Sequence, residues 1–151
     1  MEKSKVFVIT DRPPSVSPVG FSPRSCRYSP RMLSVLIVDD ESLIRWSIAE
    51  SLVAEGFPVL EAASAREAVA CLDRRDDIGV VLLDLKLPDS NDLELLRVLR
   101  QRAPNWRIIL MTAHGSADLR EEAVSAGAFR AVGKPFDMGD MIGMVREAAA
   151  A

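Results

Sequence analysis

The sequence predicts an α/β fold in which five parallel strands form one sheet with helices packed on both of its faces. Two observations in residues 32–151 predict it: short apolar segments alternate with segments of helical spacing, and the apolar segments are continuous rather than interrupted by polar residues. Continuous apolar segments are typical of strands buried on both sides, as the strands of a parallel sheet are. We therefore expect a doubly wound sheet built from five βα units.

The predicted elements follow one another in a regular order. The strands are expected at residues 33–38, 58–62, 80–84, 107–112 and 129–133. The helices, in which apolar residues recur at intervals of three and four, are expected at residues 42–55, 64–74, 92–102, 116–126 and 137–149. Residues that can cap a helix N-terminus or end a helix mark several boundaries: Ser42, Ser64, Ser116, Gly56 and Gly127.

Residues 1–31 differ in composition from the rest of the chain. They carry six basic and two acidic residues, a charge of +4, whereas residues 32–151 carry 13 basic and 20 acidic residues, a charge of −7. Five of the nine prolines also lie in residues 1–31. Because such a composition buries too little apolar surface to offset the entropy of ordering, we predict a flexible leader before a folded domain at 32–151. Its apolar segment VFVIT, residues 6–10, is a candidate strand with no pairing partner nearby in sequence.

The composition excludes several classes of protein. A hydrophobic content of 48% and a charged content of 27% are those of a globular domain rather than a disordered chain. No apolar segment approaches the roughly 18 residues that span a bilayer, and two cysteines do not make a disulfide framework. We therefore expect a cytoplasmic protein that contacts no membrane and, through this chain, binds no nucleic acid directly.

Polar and charged residues occur where the predicted strands end. Asp39 and Asp40 follow the first strand, and Asp84 ends the third. Thr112 ends the fourth strand, and Lys134 follows the fifth. Because open parallel sheets bind ligands beyond the carboxyl ends of their strands, these residues form a candidate site. The aspartates meet only if the first and third strands are neighbours, as in the order 2-1-3-4-5, which the short connections permit.

The residue types at these strand ends suit phosphoryl transfer onto an aspartate. Clustered carboxylates repel one another and require a cation, and oxygen ligands without Cys or His suit Mg²⁺. Lys134 adds a compact positive charge and Thr112 a hydroxyl, as stabilisation of phosphoryl oxygens requires. Taken singly, each residue is more often structural, because acids favour helix N-termini and aspartates favour turns. Their occurrence at the ends of different strands favours the chemical interpretation.

These motifs resemble the receiver domains of two-component response regulators. The similarity covers residues 33–149 and rests on VLIVDDE (35–41), VVLLDLKLPDSNDLELL (80–96), IILMTAHG (108–115) and AGAFRAVGKPF (126–136). It implies a flavodoxin-like (βα)5 sheet in the order 2-1-3-4-5. The segment IRWSI, which contains Arg45 and Trp46, resembles a segment in the receivers of sigma-54-dependent transcriptional activators.

The resemblance implies that a sensor histidine kinase phosphorylates Asp84, with Mg²⁺ as the cofactor. The metal ligands that it implies are Asp40, Asp84, the backbone carbonyl of Lys86 and, mainly through water, Asp39. The phosphoryl-binding and switch residues are Thr112, Ala113 and Lys134, and the Lys134–Pro135 peptide is expected to be cis. Lys86 and His114 lie two residues beyond Asp84 and Thr112, respectively, and are candidates for tuning the rates of phosphorylation and dephosphorylation.

The chain departs from the common receiver pattern at two positions. Ala131 stands where many receivers carry an aromatic residue that moves with the threonine, and Asp92 stands where glycine is usual. Phe129 is expected to lie in the core, on the same face of its strand as Ala131. The resemblance also implies a phosphoacceptor switch rather than an enzyme. Such a switch would regulate transcription, and it would allow a homodimer to form through the fourth helix, fifth strand and fifth helix. It would act either alone or as the N-terminal module of a longer regulator.

Three other functions fit the sequence less well. A Mg²⁺-dependent phosphatase of the haloacid-dehalogenase type needs a second aspartate two residues after its nucleophile, where this chain has Lys86. A flavin- or nucleotide-binding module needs a phosphate-binding first turn, where this chain has Asp39, Asp40 and Glu41. A receiver-like module that binds partners without phosphorylation would not need the complete set of polar residues at the strand ends.

Overall fold

The computed structural model describes residues 7–8, 33–90, 93–113 and 117–151. Within these ranges six strands form one sheet: β1 Phe7–Val8, β2 Ser34–Val38, β3 Val59–Ala62, β4 Ile78–Asp84, β5 Arg107–Thr112 and β6 Arg130–Gly133. Five helices connect or follow them: α1 Ser42–Ala54, α2 Ala65–Arg74, α3 Glu94–Arg102, α4 Ala117–Ser125 and α5 Met138–Ala150. The predicted alternation of strands and helices is confirmed.

The sheet has the order β1-β3-β2-β4-β5-β6, and every pair from β2 to β6 is parallel. Counted among the five parallel strands alone, this is the predicted order 2-1-3-4-5. The register places Val38 opposite Leu83, and Thr112 opposite Gly133. The residues at and just beyond these positions therefore lie at one edge of the sheet.

The strands bury both of their faces, as their continuous apolar sequence predicted. On one face Leu36 and Val38 of β2 join a core cluster with residues of α2, α3 and α4. On the other face Val35 and Ile37 join a cluster with residues of α1 and α5. Burial of each such side chain stabilises the fold by about 1.5–3 kcal/mol, so the strands form a rigid base for the residues at their ends.

Most of the predicted helix boundaries are confirmed by hydrogen bonds. Ser64 caps α2 by accepting a hydrogen bond from the backbone N–H of Glu67. Gly56 and Gly127, with φ angles of 91° and 109°, follow the ends of α1 and α4. Each donates its N–H to a carbonyl three residues earlier, and the next residue donates to a carbonyl five residues earlier. This pair of bonds is the Schellman motif, which requires the left-handed conformation that glycine adopts without strain.

The prediction that Ser42 caps α1 is wrong. Ser42 is the first residue of the helix, and Glu41 holds the N-cap position without a side-chain capping bond. The first helical hydrogen bond runs from the N–H of Arg45 to the carbonyl of Glu41. The Glu41 N–H instead donates to the side chain of Asp39, so the turn before α1 is organised by the aspartate. Ser116 lies outside the described residues.

Phe129 also departs from its predicted place. It precedes β6 and packs, half-buried, against the cluster of α1 and α5, whereas Ala131 packs against the opposite cluster. The two residues therefore contact different faces of the sheet, and the prediction of a shared face is wrong. The prediction that Phe129 belongs to the core is confirmed. Asp92 lies outside the described residues.

The leader contributes two residues to the sheet. Phe7 and Val8 form strand β1, which pairs antiparallel with Leu60 and Glu61 of β3. The sequence offered VFVIT no partner nearby, and its partner lies more than 50 residues further along the chain. These two residues therefore join the fold, while the domain boundary at residue 32 stays a prediction.

Two further features bear on the class of protein. None of the helices in the described part of the chain is both long enough and apolar enough to cross a membrane. Cys71 is buried in α2, where its burial and then the charge of Glu67 raise the pKa of the thiol to about 11. A buried thiol of this kind packs as a small apolar group.

Candidate functional site

Four strand ends bring together the side chains that the sequence singled out. Asp39 follows β2, Asp84 ends β4, Thr112 ends β5 and Lys134 follows β6. Asp39 and Thr112 are fully buried and Asp84 is 5% exposed. Polar residues are buried in this way only when other groups or a ligand satisfy them, so the contacts of each side chain indicate what the site can bind.

Lys134 connects the two buried aspartates. Its Nζ donates a hydrogen bond of 2.8 Å to Oδ2 of Asp39 and lies 3.4 Å from Oδ2 of Asp84. Its backbone N–H donates to the carbonyl of Thr112, which ties the residue to β5. The peptide bond between Lys134 and Pro135 is cis, as the resemblance to receiver domains implied.

Asp84 is held in an environment that disfavours its charge. Burial, followed by repulsion from Asp39, raises the pKa of its carboxyl group to about 6, against the opposing effects of Lys134 and the Lys86 N–H. For Lys134, burial is the largest effect and lowers the pKa, but the hydrogen bond and charge of Asp39 and the charge of Asp84 together raise it. The site therefore has more negative charge than one lysine neutralises.

A compact group of carboxylates lies beside this pair. Oxygen atoms of Asp39, Asp40 and Glu41 lie within 4.8 Å of one another, with Asp39 buried and the other two exposed. Asp84 is not part of this compact group and faces Lys134 instead. Oxygen-only ligands, two of them open to solvent, together with a nearby buried carboxylate of raised pKa, fit a hard divalent cation such as Mg²⁺.

Thr112 carries an unsatisfied polar atom. Its Oγ1 is buried and, among the described residues, has no hydrogen-bond partner. Leaving a buried hydroxyl unpaired costs about 1–3 kcal/mol, so this hydroxyl could gain a hydrogen bond from a ligand oxygen at the site. Ala113, next in sequence, is exposed, and His114 lies outside the described residues.

Lys86 contacts the site through its backbone. Its N–H donates a hydrogen bond of 3.3 Å to Oδ1 of Asp84, while its side chain is exposed. The residue is therefore placed next to the candidate acceptor, and its side chain is free to meet an approaching partner.

Comparison with known proteins identifies the family. Residues 35–146 match the response regulator receiver domain family. The chain belongs to the response regulator receiver family. The receiver is 34% identical over 114 residues to sporulation initiation phosphotransferase F of Bacillus subtilis. The aligned region covers 75% of this chain and 90% of that protein.

The receiver is also similar to longer regulators. It is 31% identical over 115 residues to the DNA-binding transcriptional regulator NtrC of Proteus hauseri. The aligned region covers 76% of this chain but 24% of that protein. The chain therefore spans about a quarter of the length of this relative. Among solved structures, the beryllofluoride-activated NtrC4 receiver domain dimer has 29% identity and a TM-score of 0.73, over 78% of this chain and 96% of that one. These similarities place the receiver in two-component phosphoacceptor signalling.

An apolar groove runs from the receiver's site toward α1. It has a volume of about 410 Å³ and lies between α1 and the segment after β6, with Ile44, Ile48, Phe136 and Met138 among its lining residues. Lys134 is also one of its lining residues. The groove is therefore an apolar surface that borders the candidate site.

Arg45 is a site residue that the sequence analysis did not identify as such. It was noted only for its resemblance to other receivers, yet its guanidinium contacts the backbone of Asp39 and the side chain of Glu61. The available signal was its position on α1, six residues after Asp39, where a long side chain can reach back to the strand ends. Glu61 is the next-to-last residue of β3 and carried no signal of its own.

Proposed function

We propose that this receiver is a phosphorylation-controlled switch in which Asp84 accepts a phosphoryl group from a histidine kinase. The observation that supports this most is the surroundings of Asp84. Its buried carboxylate lies 3.4 Å from the Lys134 ammonium, and the nearby hydroxyl of Thr112 has no hydrogen-bond partner in the part of the chain that the structure describes. A carboxylate oxygen of Asp84 forms the new bond to phosphorus as the bond from phosphorus to the kinase imidazole nitrogen breaks.

The chain's own residues provide the charge stabilisation that this transfer needs. Lys134 places its ammonium beside a phosphoryl oxygen, and the Thr112 hydroxyl donates to another, with Ala113 next to them. The Lys86 N–H already donates to Asp84 and holds the carboxylate in place. Lys86 and His114 are proposed to tune how fast the phosphoryl group is gained and lost.

Mg²⁺ is the proposed cofactor. Asp40, Asp84 and the backbone carbonyl of Lys86 would hold it directly, and Asp39 would act mainly through water. When bound, the ion neutralises the charge of the phosphoryl oxygens and of the crowded carboxylates. The compact carboxylate group and the raised pKa of Asp84 support this assignment.

The kinase is proposed to approach along α1. The apolar groove beside Lys134 and the side chains of Leu43 and Trp46, which are 75% and 56% exposed, support this direction. A partner that packs on α1 would bring its phosphorylated histidine to the open end of the site, where Asp40 is exposed.

The output surface is proposed to be formed by α4, β6 and α5, the last two elements being the fifth parallel strand and the fifth helix. Phosphorylation would bias two arrangements of this surface through the contacts of Thr112 and Lys134. With Ala131 at the position of the usual aromatic residue, the change would pass through the backbone and α4 rather than through an aromatic side chain. Homodimerisation through this surface, as part of the control of transcription, is supported by the NtrC4 receiver dimer and the NtrC relatives.

Incubation with acetyl phosphate tests the proposal. With Mg²⁺ present, intact mass spectrometry is expected to find one added phosphoryl group, and an excess of EDTA should abolish the addition. Equal phosphorylation in EDTA would overturn the metal assignment, and no phosphorylation under either condition would overturn the proposed function.

A further inference from the structure

Arg45, near the start of α1, joins the acidic turn to strand β3. Its Nη1 donates a hydrogen bond of 2.6 Å to the backbone carbonyl of Asp39, and its Nε donates one of 3.2 Å to Oε1 of Glu61. The side chains of Arg45 and Glu61 are only 18% and 14% exposed. Because both are largely shielded from water, the guanidinium is held in one position between its two acceptors.

The carbonyl that Arg45 binds lies just beyond the end of β2. The Asp39 N–H still bonds to the carbonyl of Ala62 on β3, but β2 itself ends at Val38. The Asp39 carbonyl belongs to the peptide group that joins Asp39 to Asp40, and a peptide group is planar. Fixing its oxygen therefore fixes the direction in which the chain enters Asp40.

The orientation of Asp40 matters because the neighbouring carboxylates repel one another. Oxygen atoms of Asp39, Asp40 and Glu41 lie within 4.8 Å of one another, and without a restraint this repulsion would spread them apart. Mg²⁺ accepts only near-octahedral arrangements of its ligands. A metal site at this turn therefore needs a group that holds the backbone against the repulsion.

We propose that Arg45 is a positioning residue that holds the turn between Asp39 and Asp40 in the conformation that Mg²⁺ requires, and that Glu61 holds Arg45. This inference rests on the proposed magnesium site. The guanidinium and the carboxylate cancel in net charge, so the pair acts by orientation and not by attracting or repelling the ion. Groups that orient metal ligands in this way typically change metal affinity by about 10-fold or more.

A charge-balanced double variant tests the inference. Arg45→Met with Glu61→Gln removes both hydrogen bonds and leaves the net charge of the protein unchanged. We expect its Kd for Mg²⁺ to rise about 10-fold, measured by competition with Mn²⁺ whose free ion is counted by electron paramagnetic resonance. A Kd within twofold of the parent's, or a lower one, would overturn the inference.

The single variant Arg45→Met separates orientation from charge. It leaves the Glu61 carboxylate uncompensated, which by attraction alone would tighten Mg²⁺ binding. The positioning role predicts weaker binding despite the added negative charge. Tighter binding would therefore overturn it.

Arg45→Lys keeps the charge and provides a variant that disturbs folding least. A single ammonium cannot reproduce the fork that reaches both acceptors, so we expect Mg²⁺ affinity to fall several-fold. Arg102→Lys is the matched control, because Arg102 pairs with Asp73 at the exposed end of α3. The Mg²⁺ affinity of this control variant should equal that of the parent. Unfolding in urea with EDTA is measured alongside: reduced stability with an unchanged Kd would overturn the inference. Failure of the parent to bind Mg²⁺ would overturn the proposed metal site as well.

Discussion

The side-chain nitrogen of Lys134 lies 2.8 Å from a carboxylate oxygen of Asp39, 95 residues away in sequence. The strands that carry them, β2 and β6, are separated in the sheet by β4 and β5. The lysine therefore reaches across the ends of β5 and β4, and its nitrogen also lies near Asp84 at the end of β4. This arrangement places one cation between two buried carboxylates and sets the electrostatics of the site.

Neutralising Asp84 should stabilise the metal-free protein at neutral pH. The pKa of Asp84 is raised to about 6, so folding favours its protonated form, and its contribution to stability is complete below the ordinary value of 3.8 and is lost as the pH rises through about 6. We expect Asp84→Asn to raise the free energy of unfolding by about 1–3 kcal/mol at pH 7.5 and little at pH 4.

Urea unfolding in EDTA at the two pH values measures this effect. Asp118→Asn, at an exposed position in the first turn of α4, is the control and should change the free energy of unfolding little at either pH. An Asp84→Asn protein that is less stable than the parent at pH 7.5 would contradict the account.

Removing the Lys134 charge should destabilise the protein strongly. Lys134→Met leaves Asp39 and Asp84 buried without a cation, and loss of one partner from a buried pair costs about 3–5 kcal/mol. The loss should be largest at pH 7.5 in EDTA, smaller at pH 5 and partly reversed by Mg²⁺. Lys86→Met serves as the control, since the side chain of Lys86 is exposed. A loss below about 1 kcal/mol would show that the contacts of Lys134 contribute little to stability.

The Thr112 hydroxyl should be dispensable for stability but not for switching. Because its Oγ1 is buried and has no hydrogen-bond partner among residues 33–90, 93–113 and 117–151, Thr112→Val should leave the free energy of unfolding unchanged or raise it by up to about 2 kcal/mol. Under the proposed function the variant should lose the change in oligomeric state or partner binding that follows phosphorylation, and Thr112→Ser should retain it. Destabilisation by Thr112→Val would indicate that the hydroxyl has a structural partner.

Ala131 should accept a larger side chain at small cost. It is half-buried and lines a cavity of about 470 Å³ along α4, together with Val124 and Ser125. We expect Ala131→Tyr to change the free energy of unfolding by less than about 1 kcal/mol, whereas Ala62→Tyr, at a fully buried strand position, should cost about 3 kcal/mol or more by overpacking. Thermal unfolding of both variants measures the difference, and equal losses would show that the cavity does not accommodate the ring.

Much of the fold was predictable because its determinants are local. Continuous apolar segments mark the strands, and Gly56 and Gly127 mark helix ends that need a left-handed residue. No single segment determines the order of the strands in the sheet, and that order followed from the resemblance to receivers. The contact between Lys134 and Asp39 was not predictable from local segments either, because it depends on that order.

The features that the sequence did not predict are those decided by tertiary contacts. Serine is a common N-cap, but the side chain of Asp39 accepts a hydrogen bond from the N–H of Glu41. Glu41 therefore holds the N-cap position, and the helix begins one residue earlier than a Ser42 cap implies. The pairing of β1 with β3 joins segments that share no local signal. The contacts of Arg45 with Asp39 and Glu61 depend on how α1 packs over the ends of β2 and β3.

The identity of the phosphorylated residue tests the central claim most directly. The parent, Asp84→Asn and the control Asp118→Asn are each incubated with acetyl phosphate and Mg²⁺, and the added mass is measured on the intact proteins. The account predicts one phosphoryl group on the parent and on Asp118→Asn, and none on Asp84→Asn. Phosphorylation of Asp84→Asn to the extent of the parent, or none on the parent itself, would contradict it.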